Sequence, residues 1–271
     1  MNPSLRRTLL NVYRSAQRFG VDPVRTVQAI KGQRWIQADL HAYERQRLAS
    51  DHPEAFPQGT PYPAASDRDD QAGTARGHYF HQDLLVAQEI FRRNPRRHVD
   101  VGSSMYGFVS HVASFRAVDV IDIRPLEVTI PNITFVKRDA MTFSKDEPPI
   151  TDSLSCLHAL EHFGLGRYGD PVDYDGWRKG LVGLTAMVEP GGIFYLGVPT
   201  GEPQRVEFNA HRVFSLPFLR RVLEADFEVE RLAFVHDMGD LTPDADPHSP
   251  EAERSFGSTY GCSVWVLRKR G

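Results

Sequence analysis

Four residues of the 271-residue chain have types and spacing suited to chemistry: His158, Glu161, His162 and, farther along, His211. If 157–163 passes from a strand into a helical turn, residues 158, 161 and 162 share one face, because residues three and four apart are neighbours on a helix. A His/Glu/His face joined by a distant imidazole can hold a divalent ion of borderline hardness. Without an ion, His162 or His211, assisted by Glu161, can act as a general base. A third reading leaves the histidines structural.

A second group of residues suits a nucleoside. The run His98-Val-Asp-Val-Gly-Ser-Ser is strand-like and opens through Gly102 into a small-residue loop. The run Val118-Asp-Val-Ile-Asp-Ile ends at Asp122, about twenty residues after Asp100, where a strand-end acid accepts hydrogen bonds from ribose hydroxyls. Asp139, after a third run, sits where an acid faces a purine edge. Ser104 stands where a dinucleotide fingerprint needs glycine, and the last glycine is displaced to Gly107, so a pyrophosphate loop is disfavoured.

These residues need a frame. Strand-like runs fall at 98–101, 118–123, 133–136, 153–157, 193–198, 227–235 and 262–267. Helical runs lie between them at 107–115, 175–188 and 215–225. Strand and helix in alternation predict a mostly parallel sheet covered on both faces. The last two strands have no helical period between them, only the polar, proline-bearing 236–261, so they are expected to pair antiparallel. Residues 237–258 are expected to form a mobile or acceptor-facing loop. Gly77-His-Tyr-Phe-His-Gln-Asp leads a helix whose spacing puts Leu84, Leu85, Ala87, Ile90 and Phe91 together. Ahead of it, residues 1 to about 48 read as helices broken at Gly20 and Pro23, with Val24, Val27, Ile30 and Trp35 at loose helical spacing. Pro53, Pro57, Pro61 and Pro63 mark 50–76 as a linker. The expected division is a helical extension with its linker, 1–76, and an α/β domain, 77–271.

Composition narrows the classes. A net charge of −3 excludes a nucleic-acid polyelectrolyte, and 41% hydrophobic residues support a real core. Residues 1–36 nevertheless carry Arg6, Arg7, Arg14, Arg18, Arg25, Lys31 and Arg34 against the single acid Asp22. This is a solvated helix face or an anion-facing surface for lipid headgroups or nucleic acid. The two cysteines, Cys156 and Cys262, fall in apolar runs and read as buried free thiols, as expected in a reducing, cytoplasmic setting with peripheral membrane contact at most. No apolar stretch is long enough to span a bilayer, and no secretory signal is evident.

The order of these pieces, with Val188-Glu-Pro-Gly-Gly before the fifth strand, resembles the class I S-adenosylmethionine (SAM) dependent methyltransferases over residues 77–268. The blocks Gly77-His-Tyr-Phe-His-Gln-Asp-Leu, Leu157-His-Ala-Leu-Glu-His-Phe-Gly-Leu-Gly-Arg-Tyr-Gly-Asp-Pro and Phe208-Asn-Ala-His-Arg-Val-Phe-Ser closely resemble an uncharacterised methyltransferase-like family, domain of unknown function 268. The departure is the first loop, where Ser103, Ser104 and Tyr106 replace smaller residues. The resemblance implies a Rossmann-like class I sheet with its last strand antiparallel and an N-terminal helical extension. It implies SAM as cofactor, contacted by Asp100, Gly102, Ser103, Ser104, Asp122, Ile123, Asp139, Ala140, Leu157, His158 and Tyr79, with Tyr79 and its neighbours as a lid.

The histidine cluster also resembles the metal site of plant small-RNA 2′-O-methyltransferases, with His158 where that family has Glu. That makes His158, Glu161, His162 and His211 the expected ligands of a divalent ion. Absence of an Asn/Asp-Pro-Pro-Tyr run favours an oxygen acceptor: a hydroxyl of a sugar, glycan or other polyol. Arg167, Tyr168 and Asp170, in the glycine-rich loop 164–171, suit its recognition. An RNA 2′-O-methyltransferase and a non-catalytic SAM-binding scaffold are the competing readings. Net acidity and the lack of an RNA-binding module count against the first. A nicotinamide dehydrogenase is a distant fourth.

Overall fold

A computed structural model describes residues 23–60, Ala64 and 75–271, which fall in two compact units divided after Thr74. In the first unit, helix α1 spans Pro23–Leu48. A proline suits a first helical turn, whose N–H has no intrahelical partner. Val27 and Ile30 are exposed, so their helical spacing does not build a core. The Arg47 guanidinium closes the last turn by donating to Glu44 and to the Pro53 carbonyl. Arg6, Arg7, Arg14 and Arg18, and residues 61–63 and 65–74 of the expected linker, lie outside the described residues. No helix among the described residues is long and apolar enough to cross a membrane.

The second unit is built on an eight-stranded sheet. Its strands are β1 (His98–Val101), β2 (Val118–Asp122), β3 (Ile133–Lys137), β4 (Thr151–Leu157), β5 (Val188–Thr200), β8 (Phe227–Val235), β9 (Leu241–Thr242) and β10 (Gly261–Lys269). A separate hairpin pairs β6 (Arg205–Glu207) with β7 (His211–Val213). The sheet order is β3-β2-β1-β4-β5-β10-β8-β9. β1 through β5 are mutually parallel, and β10 lies antiparallel between β5 and β8. The order reverses between β1 and β4, so a crevice opens at their carboxyl ends, where ligands of such sheets sit.

Both faces of the sheet are covered, as its apolar strands require. β10 shows how: Trp265 and Leu267 join one core with Leu184, Met187, Leu219 and Phe234, while Val264 and Val266 join the opposite core with Val86, Ile90, Phe108 and Val112. Strand side chains alternate between faces, which accounts for the division. The first face is covered by α4 (Gly176–Met187) and α5 (Leu216–Leu223), the second by α2 (His78–Arg93) and the short α3 (Ser110–Ala113). The expected helix at 107–115 begins within a π-turn, Met105–Val109, and continues as α3. In α2 the buried apolar residues are Leu85, Val86, Ala87 and Ile90, whereas Leu84 and Phe91 are exposed. Asn94 ends this helix in the left-handed region and donates its N–H to the Ile90 carbonyl.

The segment after β8 departs from expectation. Residues 237–258 do not form a loop detached from the core. Ala245 and Ala252 are buried in it, Phe256 packs against it, and the Ser255 hydroxyl accepts from the Leu216 N–H at 3.0 Å. A few small apolar anchors suffice because α5 offers a surface beside them.

Candidate active site

The first loop is shaped from below. Asp100 at the centre of β1 is fully buried and accepts three hydrogen bonds: from the Ser103 N–H at 3.0 Å, the Ser103 hydroxyl at 2.6 Å and the Ser155 hydroxyl at 2.6 Å. Burial lifts its carboxyl to about 6 against these donors. The Ser103 hydroxyl in turn accepts from the Leu157 N–H, joining the loop to β4. Asp100 therefore holds the loop from behind, with its carboxylate committed to Ser103 and Ser155. Gly102 turns at φ +71°, and a Cβ there would lie 2.9 Å from the Ala159 Cβ, so only glycine fits. Ser104 caps the π-turn by accepting from the Gly107 N–H. At Gly107 the Asp83 carboxylate of α2 fills the space of a Cβ, which locks α2 to the loop.

Two hollows meet above this loop. The smaller, about 50 Å³, is mostly apolar and is lined by Gly102, Asp122, Ile123, Asp139, Ala140, Met141 and Phe163 among others. The larger, about 610 Å³, is lined by Tyr79, Ser103, Ser104, Leu157, His158, Glu161, His162, Arg167, Tyr168, His211 and Tyr260 among others. Gly102, Asp122, His158 and His162 belong to both. Asp122 sits at the end of β2, where Arg124 grips its carboxylate with Nε at 3.0 Å and the terminal nitrogen at 2.6 Å. The Arg124 guanidinium lies 4.4 Å from the Tyr168 ring centre. Asp139 uses one carboxylate oxygen to cap the turn at Met141.

The histidine cluster is brought together, but not as a four-ligand metal site. Glu161 is buried and lies 2.8 Å from His158 Nδ1 and 3.8 Å from His162 Nε2. Its other oxygen is buried without a partner. His162 Nδ1 lies 2.6 Å from the Ala210 carbonyl, to which Arg167 also donates. That contact requires the proton on Nδ1 and leaves the lone pair on Nε2. Burial lowers the pKa of His162, so it is neutral near pH 7. For His158 burial acts the same way, but Cys262 and the hydrogen-bonded Glu161 carboxylate reverse it and hold the pKa well above the histidine range. His211, in β7, lies 3.3 Å from Glu207 and 5.2 Å from the Tyr260 ring. The two committed nitrogens, and the turn of His211 toward Glu207, explain why the expected ligand set does not converge. Among the described residues one His/Cys group does converge instead: His78, His158 and Cys262.

Two further parts of the site were not anticipated. The β6–β7 hairpin supplies both His211 and the carbonyl that fixes the His162 tautomer; its strands are too short to register as a period. In the glycine-rich loop Asp170 is structural, accepting from the Gly164, Gly166 and Tyr168 N–H groups. Arg167 and Tyr168 remain at the larger hollow. Tyr260, held by Asp237 accepting from its N–H, closes the far wall. The lid residue Tyr79 is exposed and its ring lies 4.8 Å from that of His158.

Residues 134–229 match a family model described as Caenorhabditis protein of unknown function, DUF268. No curated protein matches the chain. Among solved structures, the N-methyltransferase NodS from Bradyrhizobium japonicum WM9, bound to S-adenosyl-L-homocysteine, is 13% identical with a TM-score of 0.48, covering 85% of this chain and 98% of its own. The [4+2]-cyclase SpnF is 14% identical with a TM-score of 0.49, covering 73% and 86%. An O-methyltransferase family protein from Burkholderia thailandensis is 13% identical with a TM-score of 0.44, covering 70% and 55%. Strand order, the antiparallel strand inserted between β5 and β8 and the crevice at the β1–β4 switch point together give the chain a Rossmann-like sheet of the class I methyltransferase fold.

Proposed function

We propose that the protein is a SAM-dependent O-methyltransferase acting on a hydroxyl of a sugar, glycan or other polyol. One observation carries the reading: an apolar hollow and a polar one meet at Gly102 and Asp122, and the polar one contains a neutral, tautomer-fixed histidine. The purine is assigned to the smaller hollow between Ile123 and Ala140, the ribose to Asp122, and the methionine moiety to the loop over Gly102. The acceptor is assigned to the larger hollow, against Arg167, Tyr168 and His211.

SAM brings the electrophilic methyl group; the protein's part is alignment and proton removal. As the acceptor oxygen bonds to the methyl carbon and the carbon–sulfur bond breaks, His162 Nε2 takes the hydroxyl proton. The Glu161 carboxylate beside it steadies the imidazolium that forms. Products are the methyl ether, S-adenosylhomocysteine and a proton passed to solvent.

Calorimetric titration with SAM and S-adenosylhomocysteine tests the cofactor. A tritiated methyl-transfer screen over glycans, polyols and small RNAs then tests the acceptor. Binding of both cofactor forms with label entering a glycan or polyol is expected. One feature favours a second reading, a scaffold that does not turn over: Arg124 already occupies both oxygens of Asp122. Cofactor binding with no transfer to any acceptor, or no cofactor binding at all, would select that reading.

A further inference from the structure

One cluster of the second unit has no part in methyl transfer as described. His78 opens α2, His158 follows β4, and Cys262 lies in β10, yet one ligand atom from each lies within 4.8 Å of the others. His158 and Cys262 are buried and His78 is half-buried. His158 makes a 2.8 Å contact to Glu161 through Nδ1, while its Nε2 is buried with no hydrogen-bond partner. Imidazoles that ligate metals are held in this way: a carboxylate on one nitrogen fixes the ring and leaves the other nitrogen's lone pair for the ion. Besides its interaction with His158, the Cys262 thiol has only weak contacts to give up, at 3.8 Å to the Gln82 side-chain oxygen and 3.8 Å to the Ser263 carbonyl.

We propose that His78, His158 and Cys262 form a zinc site, with Glu161 orienting His158. A thiolate with two imidazoles selects a borderline-soft ion such as zinc over magnesium or calcium. Zinc bonds of about 2.0–2.3 Å in tetrahedral array place donor atoms about 3.4–3.6 Å apart, so the trio draws in by roughly an ångström. On binding, the Cys262 S–H bond breaks, sulfur bonds to zinc, and the proton leaves to solvent along with any carried by His158 Nε2. A fourth ligand comes from the larger hollow that His158 lines: water, or a hydroxyl. This set shares only His158 with the one expected from sequence.

The test uses the purified full chain, stripped with a chelator and titrated with zinc against a chromophoric competitor, then with cobalt. One zinc per chain and a sulfur-to-cobalt charge-transfer band are expected. Cys262→Ser should abolish the band and weaken zinc binding by about 100-fold or more, and Glu161→Gln should weaken it by about 10–100-fold. His78→Ala, at a half-buried helix start, decides the matter if Cys262→Ser does not fold by circular dichroism. No stoichiometric zinc in the unmodified chain, or full affinity retained in His78→Ala, overturns the proposal. Neither SAM nor an acceptor is present, so the result is independent of the methyl-transfer reading.

Discussion

Replacing Asp100 by Asn tests whether this acid supports the cofactor loop or touches the cofactor. Asp100 is fully buried, and its carboxyl is raised to about 6 from an ordinary 3.8, by burial first and against the donors Ser103 and Ser155. A shift of roughly two units corresponds to about 3 kcal/mol of differential stability. The folded state prefers the neutral form. The contribution is therefore fully present below about pH 4 and lost as the pH rises through about 6. Asparagine has the same shape and does not titrate. The difference in unfolding free energy, unmodified minus Asp100→Asn, should thus fall by about 3 kcal/mol between pH 4 and pH 7. Asp83, also raised to about 6 by burial, titrates in both proteins and largely cancels. Urea unfolding of both proteins across that range gives the difference directly. Parallel profiles would refute the reasoning. Parallel profiles together with a collapse of SAM affinity would return Asp100 to the cofactor.

Asp122→Ala should weaken SAM binding by about 1–3 kcal/mol, the scale for stranding buried polar partners; unchanged calorimetric affinity in a folded variant sinks the ribose assignment. His162→Ala should lower turnover about 10²–10⁴-fold. In the unmodified enzyme, turnover should rise with pH through an ionisation below the ordinary histidine value of 6.5, because burial favours the neutral ring; a profile flat from pH 5 to 7 contradicts the base. Gly102→Ala should cost about 1–2 kcal/mol in backbone strain alone, with the 2.9 Å approach to Ala159 added; a variant as stable as its parent would show that the loop is not held as described.

The sheet was legible because most of its strands are short apolar runs and helical periods fall between β1 and β2, between β4 and β5, and between β5 and β8. The antiparallel end was legible from a missing period between β8 and β10. The crevice floor followed from strand ends: Gly102 and Asp122 do line it, while Asp100 lies fully buried beneath it. Spacing shows that an acid stands on β1 but not which way it faces, and Ser155 on the neighbouring strand claims it. The histidines were found by type, and they do share one hollow. Their partners were not: the Ala210 carbonyl, the Glu207 carboxylate and the Cys262 thiol come from elements remote in sequence. Cys262 was read correctly as a buried thiol. Its position beside His158 depends on β10 being inserted next to β5, a fact of topology that no local pattern carries.

The β6–β7 hairpin hangs off the sheet, outside its hydrogen-bonded ladder apart from a single bridge between Thr200 and Phe214. The floor of the crevice belongs to the sheet and cannot change without disturbing the core. The hairpin can be exchanged. A chimera that grafts another loop between Thr200 and Phe214 would alter the molecules admitted while sparing the floor, provided it still presents a carbonyl to His162 Nδ1. The thirteen residues between those two would then serve as a selectable cassette, in which diversity is sampled at the mouth of the crevice while the Ala210 carbonyl and the Arg212 contacts to the Glu161 and Phe163 carbonyls are the fixed constraints of the library.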